Sequence, residues 1–371
     1  MAVWRRRARR AGEGPLLSVT AMPAGEESPA ARPPPLRLSV LDQSPISEGS
    51  TGAQALANTL DLARLADELG YHRYWVAEHH GTPVLAGASP EVLVGPIASA
   101  TARLRVGSGG VMLPHYSPWK VAESFSVLSG VFGDRIDLGI GRGESADAMH
   151  THALQRDRRV PAPYDFFEQL AELVAHLDGT PPPDRRFAKL APLPGLPARP
   201  QPWLLGSSLQ SALWAGRLGL PYAFGDFINP DGHEMTHLYR ESFVASQRLS
   251  APRVAVCVSA ICAESEEEAA RLAASVRMSM SKQRGGASIP VQPPEVALHY
   301  LSEQQEQEAS GPRRRAVLGC PAAVREELQE VAALYGADEV IVVTITYSHE
   351  ARRRSYELIA EAFGLVASSG Q

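Results

Sequence analysis

The sequence predicts an α/β protein built as a (β/α)8 TIM barrel with insertions, and three observations carry that prediction. Eight short apolar runs rich in β-branched and aromatic residues recur along the 371 residues. Helix-length amphipathic stretches lie between them, the alternation that produces a parallel sheet. No Gly-x-Gly-x-x-Gly turn follows the first run, which disfavours the open dinucleotide-binding sheet.

Residues 1–35 carry neither strand nor helix signal. Pro15, Pro23, Pro29 and the run Pro33 to Pro35 interrupt a segment with no apolar periodicity. This basic, Pro-rich leader is expected to be disordered, because it buries too little surface to offset the entropy of ordering. It holds six arginines against three glutamates, a local +3, which leaves −8 on the remaining residues of a chain whose net charge is −5. Residues 36–366 read as a single barrel domain.

The strands are expected at 36–42, 72–78, 104–113, 135–141, 202–207, 221–227, 253–263 and 339–347. After the first, Leu56, Leu60, Ala63, Ala66 and Leu69 recur at helical spacing and Gly70 closes the helix. Before the last, Pro321 opens a helix with Val324, Leu328, Val331 and Tyr335 on one stripe, ended by Gly336. Two connections exceed ordinary βα loops, about 143–163 and about 281–312, the second holding Pro290, Pro293 and Pro294. The second is a candidate mobile loop at the C-terminal face, where barrel active sites are built.

Composition excludes several functions. An acidic body argues against a nucleic-acid surface. Three scattered cysteines, Cys257, Cys262 and Cys320, make no disulfide framework, and Cys257 and Cys262 read as core residues. No apolar run reaches the roughly 20 residues of a membrane helix. The stretch PLLSVTAMPA after the arginines is too short and polar for a secretory core. The expectation is a cytoplasmic protein that binds neither membrane nor nucleic acid.

Four clusters at strand ends carry candidate chemistry. In Glu78-His79-His80, strand alternation would point the two histidines to opposite faces, so no metal site is expected. One histidine acts on a ligand, or is simply hydrogen-bonded at a strand end. In Gly107-Ser108-Gly109-Gly110, glycine admits either a flat ligand against the backbone or a bulge. Arg142, between Gly141 and Gly143, offers a guanidinium fork suited to phosphate, or is an exposed turn residue. Gly206, Ser207, Ser208 and Ser211 open a helix, as an anion site or as a plain N-cap.

The runs YWVAEHH, VGSGGVMLPHYSPWKVAESF, RIDLGIGRG, WLLGSS followed by LGLP, and GADEVIVVTITYSHE resemble the bacterial luciferase-like flavin-dependent monooxygenases, most closely their single-chain members from bacterial metabolism and antibiotic biosynthesis. The resemblance spans about 36–364 and excludes the leader. It implies a barrel that binds reduced FMN from a separate flavin reductase, adds O2 to form a flavin hydroperoxide, and oxidises a small organic substrate. Position by position it implies that His79 is the catalytic histidine and that Gly109-Gly110 form a non-prolyl cis peptide beneath the flavin ring, with Ser108 beside them. Arg142 would hold the phosphate, with Gly206, Ser208 and Ser211 around it and Ser207 at a position that is acidic in luciferase. Gly141 replaces a reactive cysteine, and Tyr164 falls near a second phosphate arginine. The resemblance further implies that 281–312 is a mobile lid and that chains pair as a homodimer through outer helices. Two other activities fit the same pattern: a deazaflavin-dependent oxidoreductase transferring hydride, and a non-catalytic flavin-binding barrel.

Overall fold

The computed structural model describes residues 35–143, 148–160, 163–194, 199–304 and 316–365. All eight expected strands form: β1 (Arg37–Asp42), β2 (Arg73–Val76), β3 (Arg105–Met112), β4 (Ile136–Gly141), β5 (Gln201–Gly206), β6 (Tyr222–Gly225), β7 (Val254–Cys262) and, near the end, Glu339–Val343. A further three-residue strand, β8 (Val317–Gly319), pairs with the end of β7, so the last strand is β9. Every pairing is parallel, from β1 through β7 in order, then β7 to β9 and β9 to β1, which closes an eight-stranded barrel.

Helices surround it where capping residues allow. In α1 (Gly52–Leu69) the Thr51 side chain accepts from the Gln54 backbone N–H, and Gly70 ends the helix at φ 84°. The buried face of α1 differs from the expected stripe. Leu62 and Leu65 are buried, whereas Leu56 and Leu60 are partly exposed. Thr59 turns inward because its hydroxyl meets Ser44 Oγ at 2.8 Å and its carbonyl accepts from Tyr74. The helix opened by Pro321, here Pro321–Tyr335, buries Val324, Leu328, Val331 and Tyr335 as the sequence predicts.

Strand alternation divides the core. Leu41, Trp75, Ala77, Trp203, Ala223, Cys257, Ile341 and Val343 fill the barrel interior, while a larger cluster fills the space between strands and helices. At the N-terminal end the interior is ionic. Arg73 donates to Asp137 and to Glu339, each at 2.5 Å, and its guanidinium lies 4.7 Å from the Trp203 ring centre. Arg105 joins Asp137 at 2.7 Å. This plug seals the end of the barrel away from the strand C-termini.

The two long connections contain helices. Within 143–163 lies α4 (Ala148–Leu154). Within 281–312, Glu266–Arg284 runs into the segment as a helix and α9 (Pro294–Glu303) occupies its middle. Pro294 stands at the first helical position, where its missing N–H costs nothing. The connection also meets the loop after β1: Val291 donates to Ile46 O and accepts from Glu48 N, both at 2.9 Å. Residues 305–312 of that segment, and the leader as far as residue 34, lie outside the described residues.

Candidate active site

Consecutive strands β2, β3, β4 and β5 deliver the four sequence clusters to one end of the barrel, the end formed by strand C-termini. β2 stops at Val76, earlier than expected, so residues 78–80 lie in the following loop and strand alternation does not govern where their side chains point. Glu78 is 2 % exposed, and its carboxylate meets His80 Nε2 at 2.6 Å. His79 is held by its backbone, its N–H donating to Gly87 O at 2.8 Å. Its Nδ1 is buried without a hydrogen-bond partner among the described residues. Burial, helped by the charge of His80, pushes the His79 imidazole down to about 4. The ring is therefore neutral near pH 7, with a nitrogen to offer a ligand or a proton.

The glycines of β3 form the bulge that the sequence offered as one reading. The register between β3 and β4 shifts between Ser108 and Val111, and the Gly109–Gly110 peptide is cis. A Cβ on Gly139 would stand 2.1 Å from Ser108 O, one on Gly107 2.4 Å from Asp137 O, and one on Gly110 2.8 Å from Gly139 O. The bulge thus requires bare backbone on both strands. Gly109 and Gly110 nevertheless remain partly exposed at the mouth, and a Cβ on Gly141 would meet nothing within 4 Å. Ser108 is buried, its hydroxyl donating to Gly139 O at 2.8 Å, so it braces the bulge.

Arg142 follows β4 directly. Its Nη1 donates to Tyr164 Oη at 3.0 Å and lies 3.4 Å from Gln210 Oε1. Gln210 belongs to the first turn of α6 (Leu209–Arg217), so the guanidinium stands beside a helix N-terminus, where the helix dipole favours an anion. Ser208 is the N-cap of α6 in a reciprocal capping box with Ser211. Ser211 is buried, donating to Ser208 O at 2.7 Å and touching Tyr222 Oη at 3.0 Å, so its hydroxyl shapes the turn from behind. Ser207 is fixed through its carbonyl, which accepts from Asn229 Nδ2 at 3.2 Å. Gly206 lies so close to Ser211 that a Cβ there would stand 2.4 Å from its Oγ.

Sequence reasoning missed several participants. Gln210 reaches Arg142 across 68 residues, a separation that no local pattern encodes, whereas Tyr164, which the resemblance set near the phosphate, reaches it across 22. Tyr116 and the Met112 backbone reach Glu78 across 38 and 34 residues. His150 of α4 covers Gly81, whose φ of +61° bends the loop beneath the ring. Among the described residues no cluster of three or more His, Cys, Asp or Glu could hold a metal ion.

These residues fit a flat ring carrying a phosphate tail. Glycine backbone and the partly buried Leu205, Phe227 and Ile345 surround the apolar part of the mouth, and His79, with its buried and unpartnered Nδ1, stands in the loop after β2 at the same barrel end. Arg142 and the α6 N-terminus supply the anion end.

Comparison with known proteins agrees with the fold. The family model described as luciferase-like monooxygenase matches residues 36–341. The chain is 39% identical over 326 residues to a luciferase-like monooxygenase of Escherichia coli K12, covering 87% of this chain and 96% of that one. It is 35% identical over 328 residues to the N-acetyl-S-alkylcysteine monooxygenase of Bacillus subtilis 168, covering 88% and 98%. Among solved structures, apo-MsnO8 superposes with a TM-score of 0.82 at 40% identity, covering 90% of this chain and 98% of that one.

Proposed function

This chain belongs to the luciferase-like monooxygenase family, and from that premise we propose that it is an FMN-dependent monooxygenase oxidising a small organic molecule with O2. The observation that carries the proposal is the delivery, by four adjacent strands, of a neutral His79, the Gly109-Gly110 backbone and Arg142 with the Ser207-Ser208 turn to one barrel mouth.

Each group then has a task. Arg142 and the first turn of α6 hold the phosphate, with Ser207 and Ser208 at its edge and Ser211 and Gly206 keeping the turn tight. Gly109 and Gly110, partly exposed and braced by Ser108, would form a backbone floor for a planar ring. His79 stays uncharged at neutral pH and can accept or return a proton at Nδ1. The connection joined to the β1 loop through Val291 would shelter this face from water. Bound reduced FMN supplies the redox chemistry with O2, and the protein supplies position and shelter. Reduced FMN comes from a separate flavin reductase in the cytoplasm, and the chains pair as homodimers through outer helices.

The test is to supply the protein with FMN, a reductase and a panel of small organic compounds under labelled O2. A product bearing one labelled oxygen atom, absent when the protein is omitted, is the expected result. Transfer of hydride from reduced deazaflavin, with no labelled product from FMN, would replace the proposal with a deazaflavin oxidoreductase. Binding of FMN with no product from either cofactor would leave a flavin-binding barrel.

A further inference from the structure

We propose that Glu78 is a positioning residue for His79: its carboxylate ties the chain on both sides of that histidine to the end of β3, so that the ring is presented to the mouth in one orientation. This rests on the reading of His79 as the residue that acts beside the bound flavin.

The carboxylate of Glu78 gathers three donors from three places. Oε1 meets His80 Nε2 at 2.6 Å and accepts from Tyr116 Oη at 2.9 Å, while Oε2 accepts from the Met112 backbone N–H at 3.0 Å. Met112 is the last residue of β3, and Tyr116 lies in the turn beyond it. Residues 78 and 80 are therefore fastened on either side of His79, and the His79 N–H is fastened to Gly87 O. Bonds to an ionised acceptor are roughly twice as strong as neutral ones, and removing that acceptor strands three donors in a site where water reaches them poorly.

The neighbouring titratable groups do not share this task. From the helix Pro90–Ala100, Glu91 has its carboxyl raised, first by burial and then by the charge of Glu78. His115, in the turn after β3, is lowered by burial, and burial raises the Tyr116 hydroxyl. His150 covers Gly81 from α4. Glu91 Oε2 and His115 Nε2 are both buried without a hydrogen-bond partner among the described residues, so neither braces the loop through that atom. The His115 ring packs edge-on against His80 at 6.1 Å, and among these groups Glu78 is the one that joins the His79 loop to β3 by hydrogen bonds.

Two readouts test the proposal on Glu78→Ala, Glu78→Gln and Tyr116→Phe: the histidine titrations of the cofactor-free protein by nitrogen NMR, and the rate and pH profile with which O2 oxidises bound reduced FMN. In Glu78→Ala the oxidation rate should change about tenfold or more, as expected for a misplaced reacting group, with the FMN dissociation constant within about twofold of wild type. The His79 titration should rise from about 4 toward the ordinary imidazole value as the loop admits water, and the pH profile should move with it. Glu78→Gln, which keeps an acceptor for Met112, should recover part of both. Tyr116→Phe removes one bond of the three and should move both readouts by less in the same direction, which keeps the test open if Glu78→Ala does not fold. Wild-type rate and titration in Glu78→Ala, or in Tyr116→Phe if the former is insoluble, would overturn the proposal. If His79→Ala oxidises bound FMN as wild type does, the reading of His79 itself fails. If His79→Ala is altered while the Glu78 and Tyr116 variants are not, only the positioning role fails.

Discussion

Arg142 lies between the neutral oxygens of Tyr164 and Gln210 at the start of α6. A guanidinium there, beside a helix N-terminus, can form a charge-assisted pair with a phosphate. Replacing Arg142 with Ala should therefore weaken FMN binding at least tenfold, about 1.4 kcal/mol, in a fluorescence titration. An unchanged dissociation constant would remove Arg142 from the phosphate site. Its candidacy was legible because an arginine framed by glycines at the end of a strand is a local pattern. Tyr164 was legible only through the family resemblance, and Gln210 was not legible, since it comes to Arg142 only when the barrel closes. The same holds for Arg73, Asp137 and Glu339: each stands in a strand where a charge reads as a border, and their pairing spans 64 and 266 residues.

At the scale of elements, β3 and β4 approach so closely at the bulge that glycine is needed on both. Gly139→Ala would push a methyl group against Ser108 O at 2.1 Å, a backbone atom with no freedom to yield. That variant should lose several kcal/mol of stability or fail to fold, as overpacking against rigid surroundings does. Gly141→Ala, two residues further along the same strand, meets nothing within 4 Å and should unfold at the wild-type temperature. Equal melting temperatures for the two variants would show that the bulge does not require bare backbone. Glycines in a strand announced something special in the sequence, but not which of them serve the bulge and which leave space at the mouth. The eight barrel strands were legible from their short apolar runs. β8 escaped because three residues are too few for a period, and α9 because prolines that begin a helix look like prolines that break one.

For the whole molecule, burial of histidines couples stability to pH. His79 and His72 are each held down to about 4, first by burial. Between about 4 and 6.5 the unfolded chain binds protons at these sites that the folded protein refuses, so stability rises with pH across this window. It is fully present above the ordinary imidazole value and is lost as pH falls through about 4. Urea midpoints should fall on acidification across that range, and His79→Gln should flatten part of the slope. A midpoint independent of pH there would contradict the buried, neutral state of His79.

The central claim, that this barrel mouth holds reduced FMN and governs its reaction with O2, is tested most directly by one measurement. Protein loaded anaerobically with reduced FMN is mixed rapidly with oxygenated buffer while flavin absorbance is followed. The account predicts oxidation kinetics distinct from those of free reduced FMN, reverting to the free-flavin course when Arg142→Ala no longer retains the cofactor. Kinetics identical to free flavin in the wild-type protein, or retention of reduced deazaflavin with no retention of FMN, would contradict it.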